Sequence, residues 1–416
     1  MKRVVILCVW LFSVVAGHAQ LSLDECRRLA RENYPEIRQY DLVHQTEQYN
    51  LSNAARAWIP QLAFSAQATW QTDAPNFPKE LTGMLAQQGL EIPGLRKDQY
   101  KVALELNQTI WDGGKSVADK RIARAEAAEQ KTMTDVDLYE LEGRVDDLYF
   151  GILLLDERIA QTNLTLNLLR SNLEKVRALQ RNGVAMQSDA DVLEAELLSV
   201  GQQLIQFESS CDSYRRMLGI FIGQKVGDRK LLRPSAVQPL SGESARPELA
   251  MFAAKIDRLM AQEKMVKSSS MPRLGFFAQG YYGYPGLDYM QSMMNSDWSW
   301  NAMLGVKLSW NFGAYYTQKN NLNKLRTSRQ QVEVQRDVFL FNMNLQAAQE
   351  NGDIARLRKA IADDDRIVAL RRSVREAAES KLRNGIIDTH DLLSKITDES
   401  TASMARSMRE IELLKA

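Results

Sequence analysis

Four stretches of the chain alternate between apolar and polar residues with a period of two. Leu62, Phe64, Ala66, Ala68 and Trp70 share one parity, against Ala63, Ser65, Gln67 and Thr69. Val102, Leu104, Leu106 and Ile110 stand against Lys101, Glu105, Asn107 and Thr109. Leu274, Phe276, Ala278, Gly280 and Tyr282 alternate with Gly275, Phe277, Gln279 and Tyr281. Ala302, Leu304, Val306, Leu308, Trp310 and Phe312 alternate with Asn301, Met303, Gly305, Lys307 and Ser309. Such alternation belongs to a strand whose two faces meet different surroundings, and it predicts strands over about 59–71, 99–111, 272–284 and 300–312. At about 11–13 residues, each is long enough to cross a bilayer at a tilt. Trp58, Trp70, Tyr100, Trp111, Trp298, Trp300 and Trp310 gather at the strand ends, as interfacial girdles do. A soluble sheet with one face on a core gives the same alternation, but the chain offers no comparable apolar layer to cover it. Lys101, Glu105 and Lys307 on the polar parity fit a wet barrel lumen instead. Four strands cannot close a barrel, and an open edge in lipid leaves backbone groups unpaired. Several copies must then share one barrel; three give twelve strands, although the physics does not fix that number.

Elsewhere the period is helical. Residues 116–181 and 317–383 contain no proline, and Val145, Leu148, Ile152 and Leu155 recur at intervals of three and four. A rod of about 66 residues at 1.5 Å each is about 100 Å long, the length of a coiled coil or helical-barrel wall. Arg181-Asn182-Gly183 and Arg383-Asn384-Gly385 end these rods as C-cap signals. New helices follow over about 189–220 and 391–415, with Ser188 and either Asp388 or Thr389 as N-caps. Each rod thus turns back on itself. Shorter helices over about Pro35–Ala57 and Pro247–Ser270 supply the length that the returning helices lack.

These signals come twice, about 200 residues apart, a period too long for a solenoid. Pro60-Gln61-Leu62 and Pro272-Arg273-Leu274 lead into strands; Trp111-Asp112-Gly113 and Trp310-Asn311-Phe312-Gly313 lead out of them; Arg-Asn-Gly follows in both. Three matches in register predict two copies of one unit, 20–222 and 247–416, joined by a linker over 223–246.

The N-terminus changes the setting. Met1-Lys2-Arg3, an apolar run from Val4 to Val15 and a close in Gly17-His18-Ala19 form a secretory signal peptide, residues 1–19, with cleavage expected after Ala19. Charged residues make up 25%, and the formal net charge is +1. Loss of Lys2 and Arg3 takes it to −1, so no basic field exists to attract nucleic acid. Beyond Ala19 only Cys26 and Cys211 remain, packed thiols or a disulfide. His44 and His390 stand in no catalytic pattern, and no phosphate loop or nucleophile motif is present, so neither an enzyme nor a cofactor is expected. His390 beside Asp391 reads as a solvated turn residue, and Met290, Met293 and Met294 as an adaptable loop surface rather than a metal site.

Strand hairpins between very long helices, duplicated in one exported chain, resemble the outer-membrane efflux protein (TolC-like) family. Its most specific marks are the Pro-x-Leu strand entries, Trp111-Asp112-Gly113-Gly114, and the turns from Asn182-Gly183 to Leu193 and from Asn384-Gly385 to Leu393. The resemblance implies a mainly α protein with a transmembrane β-barrel portion: a homotrimer with a twelve-stranded barrel in the outer membrane and a helical tunnel in the periplasm. An equatorial belt would come from Leu21–Asn33, the linker and the C-terminus. It implies a periplasmic gate at Asp189, Asp191, Asp388 and Asp391, where carboxylates gathered near an axis repel each other and select cations. Adaptor-docking turns would lie at Asn182, Gly183, Asn384 and Gly385. The implied partners are a periplasmic adaptor (membrane fusion) protein, an inner-membrane transporter and outer-membrane lipid. The sequence departs from the family's gate at Ser394, Ile387 and Leu382, where better-known members carry acidic, Arg and Tyr residues. The competing reading is a non-conducting periplasmic coiled-coil scaffold, which has no need of aromatic-capped hairpins.

Overall fold

The computed structural model describes residues 20–234 and 246–416; the expected signal peptide and the linker stretch 235–245 lie outside the described residues. After α1 (Leu23–Asn33) and a 3-10 turn come α2 (Gln39–Arg56), β1 (Gln61–Trp70), α3 (Lys79–Gln87), β2 (Asp98–Trp111), α4 (Lys115–Arg181) and α5 (Gln187–Ile222). From α2 onward that order recurs as α6 (Pro247–Ser268), β3 (Arg273–Tyr284), α7 (Tyr289–Met294), β4 (Ser299–Ser309), α8 (Ala314–Arg383) and α9 (Thr389–Lys415). The chain forms two compact units.

One unit comprises Tyr40–Met133 and Glu248–Arg336 and holds the sheet. Its four strands lie in the order β1-β2-β3-β4, every neighbouring pair antiparallel. Pro60 and Pro272 stand just before β1 and β3, where a residue without an N–H is tolerated. The register aligns Ser65, Ala103, Tyr281 and Asn301 across the sheet, and slips once between Thr109 and Trp111. β1 and β4 are both free edges, and β1 is exposed along its entire length.

The other unit comprises the residues up to Gln39, Thr134–Pro247 and Asp337–Ala416. Its part of α4 buries Leu138, Leu141, Val145, Tyr149 and Ile152, then Leu166, Leu169, Leu173 and Val176. This three-and-four spacing is a coiled-coil seam. Leu193 and Val200 of α5, Ala378 of α8, and Leu392 and Ile396 of α9 close the core around its second half. Leu21 pairs with Leu231 in a parallel bridge, and the buried Tyr149 hydroxyl donates to the carbonyls of Leu21 (2.9 Å) and Leu232. The segment before α1 is thereby tied to the linker and to α4. Cys26 and Cys211 are both buried and free, and burial pushes the Cys26 thiol up to about 12.

Candidate functional site

Strand parity sorts the sheet into two chemically distinct faces. Pairing places Leu62, Leu106, Ala278 and Leu304 on one side, with Phe64, Val102, Phe276, Val306 and Leu308 in the same parity. No charged residue of the strands shares that face except Asp98 at its rim, which is paired with Arg96. Apolar side chains cover it and most stand exposed, up to 82 % for Trp300. Two aromatic rows bound it. Trp70, Tyr100, Tyr282, Trp298 and Trp300 gather at the hairpin end, where Tyr100 and Trp298 stack at 5.7 Å and Tyr282 and Trp300 approach to 5.0 Å. Trp58, Trp111, Trp310 and Phe312 mark the other end, and Trp310 lies 4.7 Å from Phe312. Between the rows run strands that, at about 3.3 Å per residue and a tilt of about 40°, rise about 25 Å, the height of a barrel's lipid-facing band.

The opposite face is polar and holds all three residues expected in a lumen. Lys101 Nζ donates to Gln279 Oε1 at 3.1 Å, and Gln279 Nε2 donates to Glu105. The same ammonium lies 4.7 Å above the Tyr281 ring. Lys307 sits on this face with Arg273 diagonally across from it, and neither has an ion-pair partner among the described residues. A cleft of about 600 Å³ opens there, with Glu105, Asn107, Arg273, Gln279 and Lys307 in its lining. The alternation already places Gln279 on this face without giving it a role, and Arg273, which shares the parity of Tyr281, was read only as part of the strand entry.

Where β2 ends, Asp112 accepts hydrogen bonds from Gly114 N (2.9 Å), Ser116 N (2.7 Å) and Ser116 Oγ, and so caps α4. Burial opposes its charge, but the bonds from Ser116 and Gly114 hold the carboxyl below the usual range. Gly113 has φ +70°, and a Cβ there would meet Met271 at 2.7 Å, which accounts for glycine after Asp112.

In the helical unit, both expected docking turns share one geometry. Gly183 and Gly385 adopt φ of +73° and +68°. Gly183 N donates to Gln180 O and Val184 N to Leu179 O, while Gly385 N donates to Leu382 O and Ile386 N to Lys381 O. Asn182 and Gly183, like Asn384 and Gly385, therefore form Schellman ends that satisfy the last carbonyls of α4 and α8. Beyond them Val184, Met186 and Ile386 stand exposed, Met186 at 75 %, a cost that water imposes without return unless something covers them.

The four expected gate carboxylates lie at the starts of the returning helices. Asp388 caps α9 by accepting from Asp391 N at 2.8 Å. Helix α5 begins one residue before Ser188, with Met186 at the N-cap position, because Asp189 reaches back to accept from Met186 N at 2.8 Å. Asp191 accepts from Gln187 Nε2 at 2.7 Å. Among the described residues, no three or more of His, Cys, Asp and Glu come together as metal ligands, and no helix is long and apolar enough to cross a membrane.

Comparison with known proteins gives these surfaces a context. Residues 27–223 match the family model described as outer membrane efflux protein. No curated protein matches the chain by sequence. Among solved structures, the outer-membrane channel OprN superposes with a TM-score of 0.70 at 14% identity, covering 94% of this chain and 87% of its own. The outer membrane protein VceC of Vibrio cholerae gives 0.69 at 14%, covering 94% and 93%. The Neisseria gonorrhoeae MtrE outer membrane channel, solved in its open state, gives 0.64 at 14%, covering 94% and 87%.

Proposed function

We propose that this chain, an outer membrane efflux protein by its residues 27–223 and folded as the solved outer-membrane channels are, is one protomer of a passive exit duct. It resides in the outer membrane, with its long helices in the periplasm, and it is not an enzyme. The observation that carries this reading is the open sheet: an exposed apolar face between two aromatic rows, backed by a polar face with Lys101, Glu105 and Lys307. Lipid covers the first face at no cost, and water fills the lumen against the second. Both free edges need strands from other copies, and a homotrimer supplies twelve.

The duct completes a tripartite efflux pump or a type I secretion system. The Schellman turns at Asn182-Gly183 and Asn384-Gly385 present Val184, Met186 and Ile386 to a periplasmic adaptor, which links the duct to an inner-membrane transporter. Asp189, Asp191, Asp388 and Asp391 stand beside those turns and favour cations at the periplasmic mouth.

The test is electron microscopy and native mass of protein extracted from outer membranes, with conductance in planar bilayers. A detergent-belted trimer that conducts supports the duct. Soluble monomers or dimers that need no detergent and carry no current would leave the scaffold reading in its place.

A further inference from the structure

Charge is spread unevenly over the polar face of the sheet. Every carboxylate in the lining of its cleft is already committed. Asp112 caps α4, Asp119 pairs with Lys115 at 2.8 Å, and Glu105 accepts from the Gln279 amide that also holds Lys101. Arg273 and Lys307 line the same cleft, are exposed, and have no acid partner among the described residues. The register puts Arg273 opposite Ser309 and Lys307 opposite Gly275. The two cations are therefore diagonal neighbours, with backbones about 7–8 Å apart, at the helix-side end of β3 and β4. Gly275 places no side chain between them. Glu105 pairs with Gln279, about 13 Å along β3 from Gly275, and so does not neutralise them.

Beyond the cations the same face turns apolar. Phe277 lies opposite Gly305, and its ring leans so far across that a Cβ on Gly305 would meet it at 3.0 Å. Met303, 43 % exposed, is the next residue of this parity on β4. Both belong to the cleft of about 600 Å³, a volume that suits a small organic molecule. Two like charges held this close repel, and the low-dielectric walls of a barrel weaken the screening that water gives on an open surface. An anion relieves that repulsion. An inorganic anion meets the charges alone, whereas one with an apolar body also covers Phe277 and Met303 and frees the water above them.

We propose that Arg273, Lys307, Phe277 and Met303 form a binding site for organic anions at the helix-side end of the barrel. A carboxylate or sulfonate sits on the two cations, and its apolar body lies on the Phe277–Met303 shelf. The inference rests on the reading of the polar face as a lumen and names a solute class for that lumen. Three copies set three such sites around one passage. Each is shallow and open, so it concentrates the solute without trapping it, as conduction requires.

The experiment measures the conductance of the full chain in planar bilayers at low salt, with naphthalene-2-sulfonate or inorganic sulfate added on both sides. Naphthalenesulfonate should reduce the current at a severalfold lower concentration than sulfate. Arg273→Gln/Lys307→Gln should raise the half-blocking concentration of both anions severalfold, and Arg273→Lys/Lys307→Arg should leave both near the parental values. Phe277→Gln/Met303→Gln should weaken block by naphthalenesulfonate alone. Lys307→Gln by itself serves the same comparison if the double Gln variant fails to insert. Block that is unchanged when the cations are replaced overturns the site while leaving the duct intact. Equal potency of the two anions, or naphthalenesulfonate block unchanged by Phe277→Gln/Met303→Gln, overturns the organic-anion assignment. A parent that carries no current overturns the lumen reading and the site with it.

Discussion

Asp388 illustrates how one side chain can serve two roles that a single substitution confuses. Its carboxylate accepts the Asp391 N–H and starts α9, so Asp388→Ala removes a cap worth about 1 kcal/mol as well as a charge. Asn caps nearly as well as Asp, so Asp388→Asn removes the charge alone. Asp391 contributes only its backbone N–H to that cap, and Asp391→Asn also isolates charge. We expect both Asn variants to keep the parental melting temperature and to lower cation preference in bilayer recordings at low salt. If Asp388→Asn and Asp391→Asn leave selectivity unchanged, the carboxylates are helix caps only. A second residue sets a pH dependence. Arg375 forms ion pairs with Glu379 and Glu399 at 2.5 Å each, all three side chains largely buried. Burial opposes the charge on Glu379, but the hydrogen bond from Arg375 and the nearby Lys175 hold it below the usual carboxylate range. A depressed carboxyl stabilises the fold above its unfolded value and loses that contribution as pH falls through its folded value. Arg375→Ala leaves Glu379 with Lys175 at 3.4 Å and Glu399 with Arg372 at 3.2 Å, so it should cost less at neutral pH than the about 3–5 kcal/mol of a buried charge stripped of its one partner. The gap in melting temperature between parent and variant should narrow on acidification below pH 4.5, the ordinary value for Glu379. A gap that stays constant across that window contradicts the assignment.

Among the elements, β4 gives the sharpest contrast, because Met303 and Leu304 are neighbours on opposite faces. Leu304→Arg puts a charge in the lipid-facing band, where it costs about 2–4 kcal/mol at the midplane. Met303→Arg points into water beside Gln279. The first variant should be lost from the outer-membrane fraction and the second retained, as judged by membrane fractionation and heat-modifiable migration in gels. Equal retention rules out a lipid-facing parity. The same alternation made all four strands legible in the sequence, because opposite solvents on the two faces leave a mark on every second residue. The long helices were legible for a similar reason: absence of proline and a three-and-four repeat are local properties. The start of α5 was less so, since the choice of Met186 over Ser188 depends on Asp189 folding back. Helix α7 left no periodic trace in its six residues; Tyr284, Ser292 and Asn301 hold it through contacts visible only once the strands are paired. Lys101 and Glu105 were read as lumen residues by parity, but the Gln279 that bridges them lies 178 and 174 residues away in sequence, respectively.

At the scale of the molecule, the unexplained surface is more informative than the buried core. The sheet has two free edges, and α8 exposes Val338, Phe341 and Leu345 on one stretch and Leu370 and Val374 on another. Helix α5 similarly exposes Leu198, Ile205 and Ile220. A helix with apolar residues open to water is stabilised only when a neighbour buries them, because its own length cannot supply the tertiary contacts. The edges state the same need in hydrogen bonds: in lipid each unpaired backbone group costs several kcal/mol, so β1 of one copy must find β4 of the next. Lipid can cover the apolar face of the sheet but not these edges, and detergent can cover the helix stripes but not in a defined number. A closed ring satisfies both, and its size is a measurable integer. Cysteines at Ser65 and Asn301, on the polar face of β1 and β4, and a flexible water-soluble bis-maleimide should give a ladder that ends at three copies. Cysteines at Phe64 and Trp300 on the apolar face should cross-link far less with the same reagent, because lipid excludes it. A ladder ending at two, or one that continues past three, contradicts a twelve-stranded barrel while leaving the need for partner strands intact.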